Sequence, residues 1–378
     1  MQIPFRKNHT THQEVEYLKQ VFKKGRFSGG GSFTLACEQV LKKRYNFTNG
    51  FLTSSCTHAL ELAAYLCDIS AGDEVIIPAY TYVSTANAFV KQGAIPVFAD
   101  SLSHHPNIDL DKVEALISDK TKAIVVVHYG GFACDMEKAV QLAKKHNLFL
   151  IEDAAHAIDS FYEETPLGSF ADFSTFSFHD TKNITAGEAG FLVIRDSEML
   201  TKAINYRDKG TNQAAFTAGT KQYYEWVSQG SSCKPSELNA ACLLGQLEAL
   251  TFIQQERKRV WDYYFKKLKP FENTHPLQIP RVENYMQHNA SIFYIVCATQ
   301  SVREALISYM ASKGMELTFH YYALHQSEFY KQHYPSTSLN NASHFTNTLA
   351  RLPIYPALTT ENQELIIEHL IAFFEDYK

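Results

Sequence analysis

A chain of 378 residues is longer than one hydrophobic core usually supports, so two domains are expected. Hydrophobic residues at 45% and charged residues at 20% are ordinary for a globular chain, and a formal net charge of −5 gives no reason to expect nucleic acid or an anionic membrane as partner. No apolar run approaches the roughly 20 residues of a spanning helix, and the N-terminal MQIPFRK lacks the apolar core of a signal peptide. The protein is therefore expected in the cytoplasm. Its seven cysteines are scattered, odd in number and without a CxxC pair, which predicts neither a disulfide framework nor a metal site.

Residues 12–24 and 34–45 are predicted as helices around a loop, 25–32, with three successive glycines. Such a loop lets backbone approach a ligand closely, and a flexible linker uses the same composition. No strand precedes it and no GxGxxG spacing is present, which rejects a dinucleotide fingerprint. Thr53-Ser54-Ser55-Cys56-Thr57 then opens a helix whose apolar residues Leu60, Ala63, Ala64 and Cys67 keep helical spacing. One hydroxyl suffices for an N-cap; several, beside free N–H groups and a positive dipole end, also suit a phosphate.

Strands are predicted at 75–77, 96–99, 123–127, 148–151, 173–178 and 190–194, with helical spacing at 84–92, 109–117 and 135–146. That alternation implies an α/β fold with a mainly parallel sheet and helices on both faces. Residues 197–207 read as a helix, and 208–232 form a polar and aromatic stretch of a length that is usually functional or part of an interface. A long helix over 236–268 is followed by Lys269-Pro270 and a Pro-containing stretch to residue 281, which places the domain boundary between 1–268 and 269–378. Beyond it a strand at 292–297, a helix at 302–313 and an amphipathic helix at 361–376 make a smaller α/β domain.

Two segments carry chemistry. Residues 176–190, FSFHDTKNITAGEAG, run from aromatic and small residues to a single lysine, Lys182, and then into a turn rich in Thr, Ala and Gly. A desolvated ammonium has a lowered pKa, and the neutral amine can attack an aldehyde, as a Schiff-base lysine must. Lysines at strand exits are, however, mostly surface residues. The second segment, 148–157, is a short apolar run delivering Asp153, 29 residues before Lys182. Strand ends are where open α/β sheets keep their chemistry. A carboxylate there can keep the pyridine nitrogen of pyridoxal 5′-phosphate protonated, making the ring an electron sink. The commoner use of such an Asp is to begin a turn or cap a helix.

The EDAAHA and SFHDTKNITAGEAG segments resemble the DegT/StrS group of fold-type I pyridoxal-phosphate enzymes, which act on nucleotide-linked keto sugars. The similarity continues through TSSCT (53–57), IPAYTYVSTANA (77–88), KGTN (209–212) and RLPIYP (351–356), in order along nearly the whole chain. Within the group it is nearest the dTDP-4-amino-4,6-dideoxygalactose transaminase type. The resemblance implies that Lys182 and Asp153 are catalytic. It puts the Cys56 backbone, Thr57 and Ser177 at the cofactor phosphate, Tyr82 over the pyridine ring, and His156 close to the cofactor's phenolic oxygen. Ser232 matches the position that reaches the partner subunit's cofactor phosphate in a homodimer with active sites at the subunit interface; relatives often have Asn there, with Lys234 as the nearby basic residue and Pro235 in place of a common Met. Ser28, Gly29, His320, Tyr321 and His325 fall in segments the group uses near the sugar, and Ser291 stands where relatives commonly have His.

By the same resemblance, an amino group passes from L-glutamate to a nucleotide-linked keto-deoxysugar, with dTDP-4-keto-6-deoxyglucose the expected acceptor, for bacterial surface polysaccharide such as the O-antigen of lipopolysaccharide. The rivals are a 3-keto-sugar aminotransferase, a sugar dehydratase and a regulatory homologue. Dehydratases of the group carry His at the lysine position, and regulatory members are marked by loss of the lysine or carboxylate chemistry; Lys182 and Asp153 argue against both. An NAD-dependent sugar enzyme would need the absent glycine fingerprint.

Overall fold

Fourteen strands, short and mostly rich in Val, Ile and Phe, build the protein's sheets in a computed structural model that describes residues 2–376. The final two residues of the expected 269–378 domain lie outside the described residues. In chain order the strands are β1 (Asn49–Thr53), β2 (Glu74–Pro78), β3 (Ile95–Ala99), β4 (Thr121–Val127), β5 (Phe149–Asp153), β6 (Phe161–Tyr162), β7 (Thr165–Pro166), β8 (Phe173–Ser177) and β9 (Gly190–Ile194). They continue as β10 (Leu277–Gln278), β11 (Met286–Gln287), β12 (Phe293–Cys297), β13 (Thr318–Phe319) and β14 (Leu349–Leu352).

The main sheet has seven strands in the order β1-β9-β8-β5-β4-β2-β3. Neighbours from β8 to β3 pair in parallel, whereas β9 runs antiparallel to both β8 and β1. The sheet is thus mixed but mainly parallel, as expected of an α/β chain. Val75-Ile76-Ile77 and Ile124-Val125-Val126 are fully shielded from solvent, the continuous apolar run that a sheet covered on both faces requires.

Strand β1 has no counterpart in the sequence expectation. Asn and Gly disfavour strands, and Asn49-Gly50 becomes one only through its register with β9, Asn49 opposite Ile194 and Thr53 opposite Gly190. The helix expected at 109–117 is instead one α-turn, Leu110–Val113, and a 3-10 turn, Glu114–Leu116. It stops there because the Ser118 amide bonds Thr121 Oγ1 at 2.9 Å and turns the chain into β4. The stretch 208–232 contains a short helix, Gln213–Thr217, with Thr211 bridged to Trp226 and Asp208 to Ser232.

The helix Glu237–Leu268 spans 32 residues from an N-cap, Ser236, whose Oγ accepts the Asn239 amide at 3.2 Å. A second sheet, β10-β12-β14-β13, is antiparallel throughout, and β11-β6-β7 form a third. The N-terminal segment joins the second sheet's neighbourhood, with the Ile3 amide donating to Gly314 O at 2.8 Å and the Phe5 amide to Glu316 Oε2 at 2.9 Å.

Arg257 ties the long helix to the segments around β12 and β14. Its buried guanidinium donates to the carbonyls of Ala290 (3.2 Å), Ser291 (2.8 Å) and Ile354 (3.2 Å). Burial, followed by the neighbouring Arg351, brings its pKa down to about 9. Arg257→Met strands three carbonyls, so it is expected to destabilise the protein by about 3 kcal/mol or more. Urea unfolding checks this, and an unchanged midpoint would refute the structural role of Arg257.

Candidate active site

The C-terminal ends of β1, β2, β4, β5 and β8 open onto one cleft of about 700 Å³. This is the crevice at the carboxyl ends of strands where open α/β sheets place ligands.

Asp153, the last residue of β5, lines the cleft and is buried. Its Oδ2 accepts the Thr85 hydroxyl at 2.7 Å, Thr85 pairs with Thr81 at 2.8 Å, and Oδ1 accepts the Ala155 amide at 3.1 Å. Burial pushes the carboxyl above its ordinary range even though those bonds and Lys182 pull the other way. A desolvated carboxylate in this condition favours a cationic partner. The preceding residue, Glu152, has the opposite job. It is fully buried and receives the amides of Gly168 (2.7 Å), Phe170 (2.9 Å) and Ala171 (3.0 Å), and His128 lies 3.0 Å away. Burial raises its pKa, but His128 and those amides outweigh that and hold it below the usual range. Since His128 Nδ1 accepts the Cys134 amide at 3.1 Å, the neutral ring donates through Nε2 to Glu152. Successive side chains of a strand point to opposite faces, so one acid braces the fold while the other meets the cleft.

Lys182 is half-buried and lines the same cleft. Its backbone amide donates to His179 O at 3.0 Å, and Asn183 next to it donates to Gln254 Oε1 and Asn289 O, both at 2.9 Å. Asn289 in turn donates to the carbonyls of His156 (2.7 Å) and Ile158 (2.6 Å). The lysine loop and the His156 loop are therefore bolted to one residue. Burial lowers the Lys182 pKa to about 8, with Arg351 adding to the fall and Cys56 and Asp153 opposing it. The neutral, nucleophilic amine is gained as pH rises through this value. Cofactor uptake by apoprotein is therefore expected to accelerate with pH and level off above about 8. Stopped-flow absorbance checks this; a rate still climbing toward the ordinary lysine range would contradict it.

His156 lines the cleft, and its Nδ1 accepts the Gly130 amide at 3.2 Å. The neutral ring then carries its proton on Nε2, 3.4 Å from the Tyr321 hydroxyl. Burial, helped by Lys182 and Arg351, holds its pKa well below the ordinary value.

At the other end the helix Cys56–Leu66 presents its N-terminus, capped by Ser55 Oγ, which accepts the His58 amide at 3.1 Å. The Cys56 and Thr57 amides have no acceptor within the helix, and both residues line the cleft with the buried Ser177. Thr57 Oγ1 lies 2.8 Å from Ser84 Oγ. Burial drives the Cys56 thiol upward, so it stays protonated. Gly190 permits this arrangement, since a Cβ there would come within 2.6 Å of the Ser55 and Cys56 backbone. Tyr82, 58% exposed, stands in the cleft lining with its ring 6.1 Å from that of Tyr321, and His320 lies beside them.

The fold thus brings Lys182, Asp153, Cys56, Thr57, Tyr82, His156, Ser177, His320 and Tyr321 to one cleft. Ser28, Gly29, Ser232 and His325 do not line it. Gly29 presses on Pro235, whose carbonyl oxygen would be 2.0 Å from an added Cβ; exposed Ser232 pairs with Asp208; and buried His325 has Nε2 3.2 Å from Ser343 Oγ. Lys234 forms an ion pair with Asp208 at 2.8 Å, and Ser291 does reach the cleft wall. Among the lining or supporting residues with no role in the sequence reading are Thr85, Ser84 and Arg351. The clue to Arg351 was a lone charge in an otherwise apolar strand; Thr85 and Ser84 offered none, being hydroxyls at a helix start. Among the described residues no cluster of His, Cys, Asp and Glu is arranged to hold a metal.

These residues fit pyridoxal 5′-phosphate: a buried acid for the pyridine nitrogen, an amine of lowered pKa for the aldehyde, and unpaired helix amides with hydroxyls for the phosphate. A mainly parallel sheet with that pairing at its strand ends defines a fold-type I pyridoxal-phosphate enzyme. The chain belongs to the DegT/DnrJ/EryC1/StrS aminotransferase family, whose sequence profile matches residues 8–371. It is 31% identical over 374 residues to GDP-perosamine synthase of Escherichia coli O157:H7, covering 99% of each chain. To the spore coat polysaccharide biosynthesis protein SpsC of Bacillus subtilis it is 33% identical, over 83% of this chain and 82% of that one. Among solved structures it resembles Spr1654 of Streptococcus pneumoniae, described as a sugar aminotransferase. The PMP form gives a TM-score of 0.92 at 25% identity, covering 99% of this chain and 98% of that one. The PLP form gives 0.91 at 26%, covering 99% of each chain. Helicobacter pylori PseC, an aminotransferase of pseudoaminic acid biosynthesis, gives 0.92 at 26% over the full length of both. The protein is a pyridoxal-phosphate-dependent sugar aminotransferase.

Proposed function

We propose that the protein moves an amino group from L-glutamate to a nucleotide-linked keto-deoxysugar, with dTDP-4-keto-6-deoxyglucose the preferred acceptor, in the cytoplasmic supply of bacterial surface polysaccharide. The observation that carries the reading is the meeting of Lys182 and Asp153 in one cleft, the amine lowered to about 8 and the acid desolvated. Relatives whose names attach to perosamine and spore coat polysaccharide support a sugar acceptor.

When bound, the cofactor supplies an electrophilic aldehyde and a ring that takes up electrons. The chain's own residues do the rest. Lys182 Nζ would hold the cofactor's aldehyde, and as a free amine it would be the base that carries the proton from the donor's α-carbon. Asp153 holds the pyridine nitrogen protonated. His156 would offer Nε2–H to the phenolic oxygen, the Cys56 and Thr57 amides and Ser177 would hold the phosphate, and Tyr82 would cover the ring and exclude water. The same residues then work in reverse toward the keto sugar.

The active enzyme is proposed to be a homodimer, with residues 1–268 forming the cofactor domain and 269–378 the smaller one. Phe216, Tyr223, Tyr224 and Trp226 stand 44%, 65%, 51% and 82% exposed on the stretch that leads to Ser232. Such aromatic exposure suits burial by a second copy. No helix among the described residues is long and apolar enough to cross a membrane.

The test is incubation of cofactor-loaded protein with L-glutamate and dTDP-4-keto-6-deoxyglucose, followed by NMR assignment of the product. A 4-amino sugar and 2-oxoglutarate are expected. Transfer only to a GDP-linked sugar, or to a ketone at carbon 3, would replace the acceptor; no transfer from any amino acid would overturn the reading.

A further inference from the structure

The side-chain hydrogen bond to the acid that meets the cleft comes from a hydroxyl and not from a cation. Thr81 lies in the turn after β2 and Thr85 in the first turn of the helix Val83–Val90, and both are buried. Their Oγ1 atoms are 2.8 Å apart, and Thr85 Oγ1 is 2.7 Å from Asp153 Oδ2. Neither hydroxyl has a further partner among the described residues. A hydroxyl carries one hydrogen and an ionised carboxylate none, so Thr85 donates to Oδ2, Thr81 donates to Thr85, and the two hydrogens fill the two contacts. Protonating Oδ2 would bring a third hydrogen to the same two contacts. One buried donor would then be left without an acceptor, which is costly. The relay thus has a direction, from Thr81 through Thr85 to the acid, and it favours the ionised oxygen.

We infer that Thr81 and Thr85 are positioning residues for amino transfer, a two-hydroxyl relay that keeps Asp153 an acceptor and so leaves the shared proton on the cofactor's ring nitrogen and not on the acid. The assignment rests on the transaminase reading above. The other groups that face Asp153 do not do this work. Cys56 and Tyr321 keep their protons, both pushed upward by burial, and the neutral His128 is committed to Glu152 at 3.0 Å. Lys182 is itself held near its neutral form and has to bond the aldehyde, so the charge of the acid cannot depend on it. Burial raises the carboxyl, and of the influences that oppose it the Thr85 hydroxyl is the largest, ahead of the Ala155 amide, Lys182 and His128. A lysine or arginine at position 85 would also favour the ionised acid, but it would neutralise it. Hydroxyls donate without adding charge, and the full negative charge stays available to a cationic ring.

The test is NMR of protein loaded with pyridoxal 5′-phosphate isotope-labelled at the ring nitrogen, whose signal reports whether that atom carries the proton. In Thr85→Val, which keeps the shape and removes the hydroxyl, the acid is expected to hold its proton at least about tenfold more tightly, and the signal moves toward the unprotonated nitrogen. Thr85→Ser is expected to return it to the wild-type position. Thr81→Val, which leaves the bond to the acid in place, is expected to move it the same way by less. In the apoprotein the Asp153 carboxyl, assigned with Asp153→Asn, is expected to titrate at higher pH in Thr85→Val than in wild type. A Thr85→Val protein whose ring nitrogen and acid both match wild type overturns the relay, as does a Thr85→Ser protein no better than Thr85→Val. An unshifted signal in Thr81→Val overturns it whether or not Thr85→Val folds. A wild type that takes up cofactor but accepts no amino group from any amino acid overturns the transaminase reading, and with it the role given to the relay; an active transaminase with unshifted variants overturns this inference alone.

Discussion

Lys182→Ala is expected to lower amino transfer at least about 10³-fold, because one side chain supplies both the nucleophile and the proton carrier. The loss should fall on the chemical step rather than on folding. Asn183 holds the loop through Gln254 and Asn289 at 2.9 Å each, and neither bond uses the lysine side chain. Single-turnover absorbance with L-glutamate separates the two effects. The variant is expected to retain the wild-type unfolding midpoint and to leave the cofactor unchanged over the time in which wild type converts it. A rate within tenfold of wild type would mean that another base moves the proton.

Asp153→Asn is expected to cost about 10²–10³-fold in the same assay, the scale found when a charge-stabilising group is removed from a dry site. The substitution preserves shape and leaves the Thr81–Thr85 pair, 2.8 Å apart, in place. What disappears is the negative charge that keeps the ring nitrogen protonated. Spectroscopy of the loaded variant should therefore show a shifted band, together with the fall in rate. An unshifted band at full rate would leave Asp153 with a capping role only, the bland alternative for an Asp that bonds the amide two residues on, here Ala155 at 3.1 Å.

The residues that could be read from the sequence are those where local pattern and chemistry coincide. Strand β5 ends on Asp153, which registers as an acid delivered by an apolar run, whereas Ser177 at the end of β8, one of three hydroxyls in that strand, carries no such signal and is marked by the family resemblance alone. The hydroxyl-rich turn before the helix Cys56–Leu66 carries its function in its own backbone. What the sequence could not show depends on distant contacts. Thr85 supports Asp153 across 68 residues and Asn289 reaches His156 O across 133, and neither spacing leaves a periodic trace. Strands β10 and β13 have two residues each, too short for alternation to appear. The glycine loop shows a different kind of gap. Its composition announces a close approach, but Gly29 makes that approach to Pro235 and not to the cleft of its own chain.

The central claim, that the Lys182 amine bonds the cofactor beside Asp153, is tested most directly by borohydride reduction of the cofactor-loaded protein followed by mass mapping of its peptides. The account predicts the added mass of the reduced cofactor on the peptide containing Lys182, and its disappearance in Lys182→Ala. The same mass on a different lysine, or none on a protein that nevertheless transfers amino groups, would contradict it.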